Sequence, residues 1–268
     1  NHVLVEPEAR REAIRQQLHA IAQAEEAEIV DDGSLLEETV YQVEFPTAVR
    51  CQIDESFLSL PPDLLVHVLC REQQLFPLTN RAGTLLPGFI AVRNGDKAYL
   101  GGVREGYEAV ARAKLLDALF FFEQDLRRPL AERVEELHGI VFSEHLGTLH
   151  DKAVRIQHLA GIFAERMGWS AYQRQLAERA GLLCKADFVT ALGAEHPEMR
   201  GALGAAFARR SGEPEAIADA IAEHVRPRNG ADALPASELG LVTALADRLD
   251  TVVGCYAAGR APSGGPDP

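Results

Sequence analysis

Several things are scarce or missing in this chain, and each absence narrows its chemistry. No stretch approaches the roughly twenty consecutive apolar residues that a membrane-crossing helix needs. The densest block, Ala118 to Phe122, is short and set among charged residues. The opening residues, NHVLVEPEARREAIRQQ, lack the positively charged start and long apolar core of a secretory signal. They also lack an initial methionine, as expected of a trimmed or processed chain. Only four cysteines occur, Cys51, Cys70, Cys184 and Cys255, widely spaced and without a CxxC pair. That pattern fits small buried thiols in a reducing compartment and argues against a disulfide framework or a cysteine-ligated metal. A Walker-type phosphate loop and a GxGxxG turn are both missing. Positive charge is in deficit, with 27 Lys and Arg against 40 Asp and Glu and a net charge of -13. Unspecific duplex binding needs a local excess of Lys and Arg, so this balance works against it. What basic character exists is grouped in pairs: Arg127 with Arg128, Arg209 with Arg210, Arg226 with Arg228. The expectation is a soluble, cytoplasmic chain with no membrane partner.

What is present divides into two halves. In the first, Ile14, Leu18 and Ile21 recur at helical spacing within Pro7 to Ala27. Leu35 to Val43 continues helically until Phe45-Pro46, where the residue before proline leaves the helical region. Thr47 to Ile53, Phe76 to Leu78 and Phe89 to Val92 read as strands. Pro61-Pro62-Asp63 opens a helix reaching about Gln74, because proline's missing amide is harmless in a first turn. A long helix follows from Glu105 to about Gln124. After Arg128-Pro129 helical periodicity dominates, over 130–138, 149–167, 171–192, 198–209, 213–225 and 236–257. The expected class is therefore α+β: a mixed domain over 1–128, a helical domain over 129–259, and a disordered Gly- and Pro-rich tail over 260–268.

The helical half holds the residues that invite a chemical reading. On the expected helix 171–192, Asp187 shares a face with Ala180, Leu183, Cys184, Phe188 and Ala191, and Lys185 sits beside it. A carboxylate on an apolar face must be paired, capped or protonated. In the final helix Val242, Leu245, Leu249, Val252 and Tyr256 mark the expected core stripe, with Asp250 at its border and Asp247 nearer the polar side. His158 neighbours the stripe Ile156, Leu159 and Phe163. His158, Asp187 and Asp247 are the types that could converge from separate helices as a metal-dependent phosphohydrolase. Lys185 opposes that reading, since an ammonium repels a cation and can itself neutralise a carboxylate. Ser143, Glu144 and His145 are hydrolase residues by type alone. No catalytic residue and no metal ligand set is assigned.

Linear motifs carry the reading further. Phe57-Leu58-Ser59-Leu60-Pro61, then Gln74-Leu75-Phe76-Pro77-Leu78, then Leu85-Leu86-Pro87-Gly88-Phe89-Ile90-Ala91-Val92-Arg93-Asn94, resemble the bacterial glycyl-tRNA synthetase beta subunit. So do Ala111-Arg112-Ala113-Lys114-Leu115-Leu116-Asp117-Ala118, Leu146-Gly147-Thr148-Leu149-His150-Asp151-Lys152, Lys185-Ala186-Asp187 and Ala246-Asp247-Arg248-Leu249-Asp250-Thr251. The ordered matches cover roughly residues 35–268. The resemblance implies an internal slice of a longer subunit whose helical part is a degraded HD-type domain. Its site candidates are His158, Lys185, Asp187, Asp247 and Asp250. It further implies partnership with an alpha subunit in an alpha2beta2 heterotetramer and with tRNA-Gly. The alpha subunit would use ATP and Mg2+ for adenylate formation, and no cofactor would belong to this part. Candidate tRNA contacts, by charge and position, are Arg112, Lys114, Lys152, Arg155, Arg200, Arg209 and Arg210. The rival readings are an active HD-type phosphohydrolase and a purely structural alpha-binding module.

Overall fold

The structure is a computed structural model that describes residues 3–31 and 33–259. The expected tail, 260–268, lies outside the described residues. The chain divides into two compact units, Asn1–Phe120 and Phe121–Pro268. An α+β class holds, with a small antiparallel sheet in the first unit and helices dominating the second.

In chain order the first unit contains α1 (Pro7–Ala24), β1 (Glu28–Ile29), α2 (Leu35–Gln42), β2 (Pro46–Gln52), α3 (Pro62–His67), β3 (Phe76–Thr79), β4 (Leu85–Asn94) and most of α4 (Leu100–Asp125). The sheet order is β1-β3-β4-β2, antiparallel throughout. Proline starts α1, and Ile14, Leu18 and Ala22 then recur every fourth residue, so one stripe faces inward. That stripe joins Leu35 and Val40 of α2 and Phe76, Leu78 and Ile90 of the sheet in one buried cluster. Strand β2 pairs with β4 from Pro46↔Asn94 to Gln52↔Gly88. Expected strand Phe89–Val92 is thus the centre of a longer one, and Pro87 and Gly88 lie inside it. The expected helix to Gln74 ends as α3 at His67 and continues as a wider π turn over Val68–Glu72. Helix α4 straddles the division between the units and ends shortly before the Arg128-Pro129 break seen in the sequence.

The second unit opens with a 3-10 run, Leu130–Gly139, where 130–138 had been expected as an ordinary helix. A short hairpin, β5 (Val141–Ser143) with β6 (Gly147–Thr148), leads into α5 (Leu149–Arg166). Then come α6 (Ala171–Leu183), α7 (Ala191–Glu195), α8 (Ala202–Arg210), α9 (Glu215–Glu223) and α10 (Glu238–Ala257). Capping boxes start α5 and α6: Thr148 with Asp151, and Ser170 with Gln173, each satisfy amides that the first turn leaves open. Helix α5 packs on α6 and α10, and α10 also packs on α6 and α9. The α5–α6 approach is close enough that a Cβ at Gly181 would stand 2.9 Å from the Gln157 Cα.

The expected helix 171–192 is broken. Helix α6 stops at Leu183, a 3-10 turn covers Ala186–Val189, and α7 restarts at Ala191. One local cap, Thr190, and one distant carboxylate, Asp125, cause the break. Thr190 Oγ1 accepts from the Gly193 amide at 2.9 Å and donates to the Asp187 carbonyl at 2.8 Å. The Asp125 carboxylate accepts from the amides of Ala191 and Leu192, both at 3.0 Å. These bonds satisfy the orphan amides of a new helix start. Helix α8 likewise begins only at Ala202, because Gly201 before it takes φ +85.

The expected core stripe of α10 is also corrected. Val242 is buried, but Leu245, Leu249, Val252 and Tyr256 are 46, 37, 52 and 59% exposed. Thr243, Ala246 and Asp250 are buried instead. The inward face of α10 is chosen by its carboxylates, which meet cations from α5 and from the turn after α6.

Candidate functional site

Lys185 stands just beyond the end of α6, in the turn that the helix break creates, and is 8% exposed. Its Nζ donates to Asp247 Oδ2 at 2.6 Å and lies 3.1 Å from His224 Nε2. From α5, Lys152, 3% exposed, places its Nζ 2.9 Å from Asp247 Oδ1 and 3.1 Å from Asp250 Oδ2. The first of these is an ion contact without hydrogen-bond alignment, since Asp247 Oδ1 has no hydrogen-bond partner. Lys152 completes its donors on Thr251 Oγ1 at 2.7 Å. Arg155, one turn further along α5, places its Nη2 3.2 Å from Asp250 Oδ2. Three segments, α5, α10 and the turn after α6, therefore converge on an alternating chain of cations and carboxylates: Lys185, Asp247, Lys152, Asp250, Arg155.

The electrostatics follow from this order. Burial works against the Lys185 ammonium, but Asp247 outweighs it and holds the pKa above the ordinary lysine value. Burial would raise Asp247, yet Lys185 and Lys152 together draw it well below the usual carboxylate range. His224 is 1% exposed, and burial reinforced by Lys185 pushes it down to about 3. Cys184 is fully buried with its thiol on the Gly181 carbonyl at 3.2 Å, and burial raises it to about 12. It is not a nucleophile at neutral pH.

The sequence candidates part company here. Lys185, Asp247 and Asp250 join one network. Asp187 is buried but serves the backbone: its Oδ2 accepts from the Gly201 amide at 2.6 Å, while Oδ1 has no hydrogen-bond partner. Burial raises its pKa, so Asp187 tends toward the neutral acid. His158 is exposed and lines a groove of about 820 Å³ with His145, Leu159, Phe163, Leu249 and Val253. It does not converge with Asp247. Asp247, expected nearer the polar side of α10, and His224, which no sequence pattern singles out, both contact Lys185. Lys152, proposed as an RNA contact, is an internal counter-ion. The missed signal was periodic: Lys152 and Ile156 share the apolar face of α5, a position where lysine requires a buried partner.

The residues present do not fit a catalytic metal. Lys185 Nζ occupies the space between the Asp247 carboxylate and the His224 imidazole. A divalent cation placed there would have to displace an ammonium and meet a second one on Asp247. No metal-dependent step is derived from this centre.

The other proposed RNA contacts are mostly engaged within the chain. Arg200 donates to the Gly193 carbonyl at 3.0 Å and stacks over Phe188 at 3.9 Å. Arg209 bridges Glu215 at 2.6 Å and Asp219 at 2.5 Å. Arg210 lies 6.0 Å from the Phe122 ring centroid. In the first unit Lys114 is 3.7 Å from Glu72, and Arg112 is exposed on α4.

The helical unit is thus built around an internal ion network. Comparison with known proteins gives the family. The glycyl-tRNA synthetase beta subunit family matches residues 1–268, and this chain belongs to it. The glycine–tRNA ligase beta subunit of Desulforamulus reducens is 43% identical over 267 residues, covering 100% of this chain and 38% of that protein. That of Desulforudis audaxviator is 42% identical over 268 residues, covering 100% and 39%. That of Halalkalibacterium halodurans is 40% identical over 267 residues, covering 100% and 38%. The chain therefore spans well under half the length of these relatives.

Proposed function

We propose that this chain works in the cytoplasm as part of a glycine–tRNA ligase beta subunit, helping to hold tRNA-Gly and to assemble with an alpha subunit. In this reading the alpha subunit carries glycine activation with ATP and Mg2+, within an alpha2beta2 heterotetramer. The helical unit is an HD-type domain turned to structural use. One observation supports that assignment above others: Lys185 Nζ sits 2.6 Å from Asp247 and 3.1 Å from His224, where a hydrolytic HD-type centre would need a cation free to bind substrate.

A second observation favours assembly over RNA contact for the helical unit. Lys152, Arg155 and Arg209 are held in ion pairs, while α10 presents Leu241, Leu245, Leu249, Val252, Val253 and Tyr256 with 37–62% exposure. Contiguous exposed apolar surface of this kind marks interaction sites.

The test is titration of the chain, within its full-length beta subunit, against tRNA-Gly at several salt concentrations, with and without the alpha subunit. The reading expects salt-dependent binding that strengthens with the alpha subunit, and weakened subunit association in Leu245→Asp with Val253→Asp. Hydrolysis of phosphate monoesters or nucleotides by the beta subunit, lost on Asp247→Asn, would overturn it in favour of a phosphohydrolase.

A further inference from the structure

A second cluster lies outside the ion network, on the surface of the helical unit. His138 ends the Leu130–Gly139 run, and Glu135 lies one turn before it. His150 is in the first turn of α5, across the β5–β6 hairpin. The two imidazoles stack with centroids 3.8 Å apart and planes inclined by 23°. Glu135 reaches both, with Oε2 3.7 Å from His138 Nε2 and Oε1 3.9 Å from His150 Nε2. The three residues each offer a ligand atom, all within 4.8 Å of one another. Among the described residues, no other hydrogen bond or ion pair engages these three side chains.

Two ligands held about 2.1 Å from a tetrahedral ion stand about 3.4 Å apart. The carboxylate–imidazole separations here exceed that by only a few tenths of an ångström. His138 is 54% exposed in its side chain, so it has room to turn its ring toward a shared centre. Asp151, held by Thr148, adds a second negative charge that acts on both rings. Two imidazoles with one carboxylate suit a borderline transition metal, whereas Mg2+ and Ca2+ select all-oxygen sets.

We propose that Glu135, His138 and His150 form a surface site for a Zn2+-class ion, with a fourth position open to water. The ion would clip the Leu130–Gly139 run to the first turn of α5 and so fix the base of the hairpin between them. It is independent of the tRNA-ligase reading and of the Lys185 centre.

The test is calorimetric titration of the metal-stripped, untagged chain with ZnCl2, with MgCl2 as a parallel arm. One Zn2+ per chain is expected at micromolar concentration, with a rise in melting temperature. His138→Ala and His150→Ala should each weaken binding at least about tenfold and abolish the thermal shift. Glu135→Ala, at a 79% exposed side chain, gives the same reading even if His150→Ala disturbs the helix start. Failure to saturate by 100 μM, binding unchanged in all three variants, or equal binding of Mg2+ would overturn the site.

Discussion

Lys185 and His224 fix each other's proton. His224 Nδ1 lies 2.6 Å from the Ile221 carbonyl, which can only accept, so Nδ1 carries the hydrogen. Nε2 is then a bare lone pair, and the Lys185 ammonium donates to it at 3.1 Å. Protonating His224 would place two cationic N–H groups face to face inside the unit.

Stability therefore depends on pH in a definite sense. His224 is lowered from 6.5 to about 3 in the folded chain. An unfolded chain then binds more protons across that window, and stability falls as pH drops through it. The slope from this group alone is about 1.4 kcal/mol per pH unit. Asp247, also lowered, adds to the loss below its unfolded value of 3.8. Asp187 is raised and acts oppositely, gaining a proton in the folded state first. Urea unfolding measured from pH 7 to 4 should show the decline, and His224→Gln should flatten it by about one proton. An unchanged slope in that variant would refute the assignment.

Removing Lys185 should be costly. Lys185→Met leaves Asp247 facing Lys152 alone and strips the donor from His224. The expected loss is about 3 kcal/mol, the scale for breaking a buried ion pair from one side. Equilibrium denaturation measures it; a loss below about 1 kcal/mol would mean that the network contributes little. The double variant Lys185→Met, Asp247→Leu should recover part of the stability, because it leaves fewer uncompensated charges.

Asp125 ties the end of α4 to the start of α7. Its carboxylate caps two amides and pairs with Arg133, whose Nη2 lies 3.2 Å away in a nearly dry environment. Asp125→Ala should destabilise by about 2–4 kcal/mol, combining a lost cap with a stranded guanidinium. Hydrogen exchange at the Ala191 and Leu192 amides should rise well above that of α5. Protection equal to wild type would refute the cap.

RNA contact separates two arginines that look alike in the sequence. Arg112 is exposed on α4, whereas Arg209 is already committed to Glu215 and Asp219. Charge reversal at Arg112 should weaken tRNA-Gly binding by the full-length beta subunit and reduce the salt slope by about 1. Reversal at Arg209 should cost stability and leave the slope alone. The opposite pattern would move the RNA-facing surface to α8.

Much of the fold was legible because it is local. Ile14, Leu18 and Ile21 announce α1, and Pro46 and Asn94-Gly95 bound the paired strands. The helices expected to begin at 149 and 171 do begin there, as α5 and α6. What escaped was nonlocal. Nothing near residue 190 reveals that Asp125 will cap Ala191, so 171–192 read as one helix. The α10 stripe failed for a related reason. Leucines at 245 and 249 look like core by period, yet Asp247 and Asp250 turn inward because Lys152 and Lys185 wait there. In the candidate site, Lys185 opposing metal chemistry was readable from charge alone. His224 was not, since a single histidine carries no signal until its neighbours in space are known.

A lysine cannot diffuse away. The positive charge that holds α5, α10 and the turn after α6 together is covalently part of the chain, so its local concentration is independent of the surroundings. A domain organised by a bound ion loses its centre when chelators or scarcity remove that ion. The Lys185–Asp247 centre has no such dependence, and the helical unit keeps its internal cation wherever it folds.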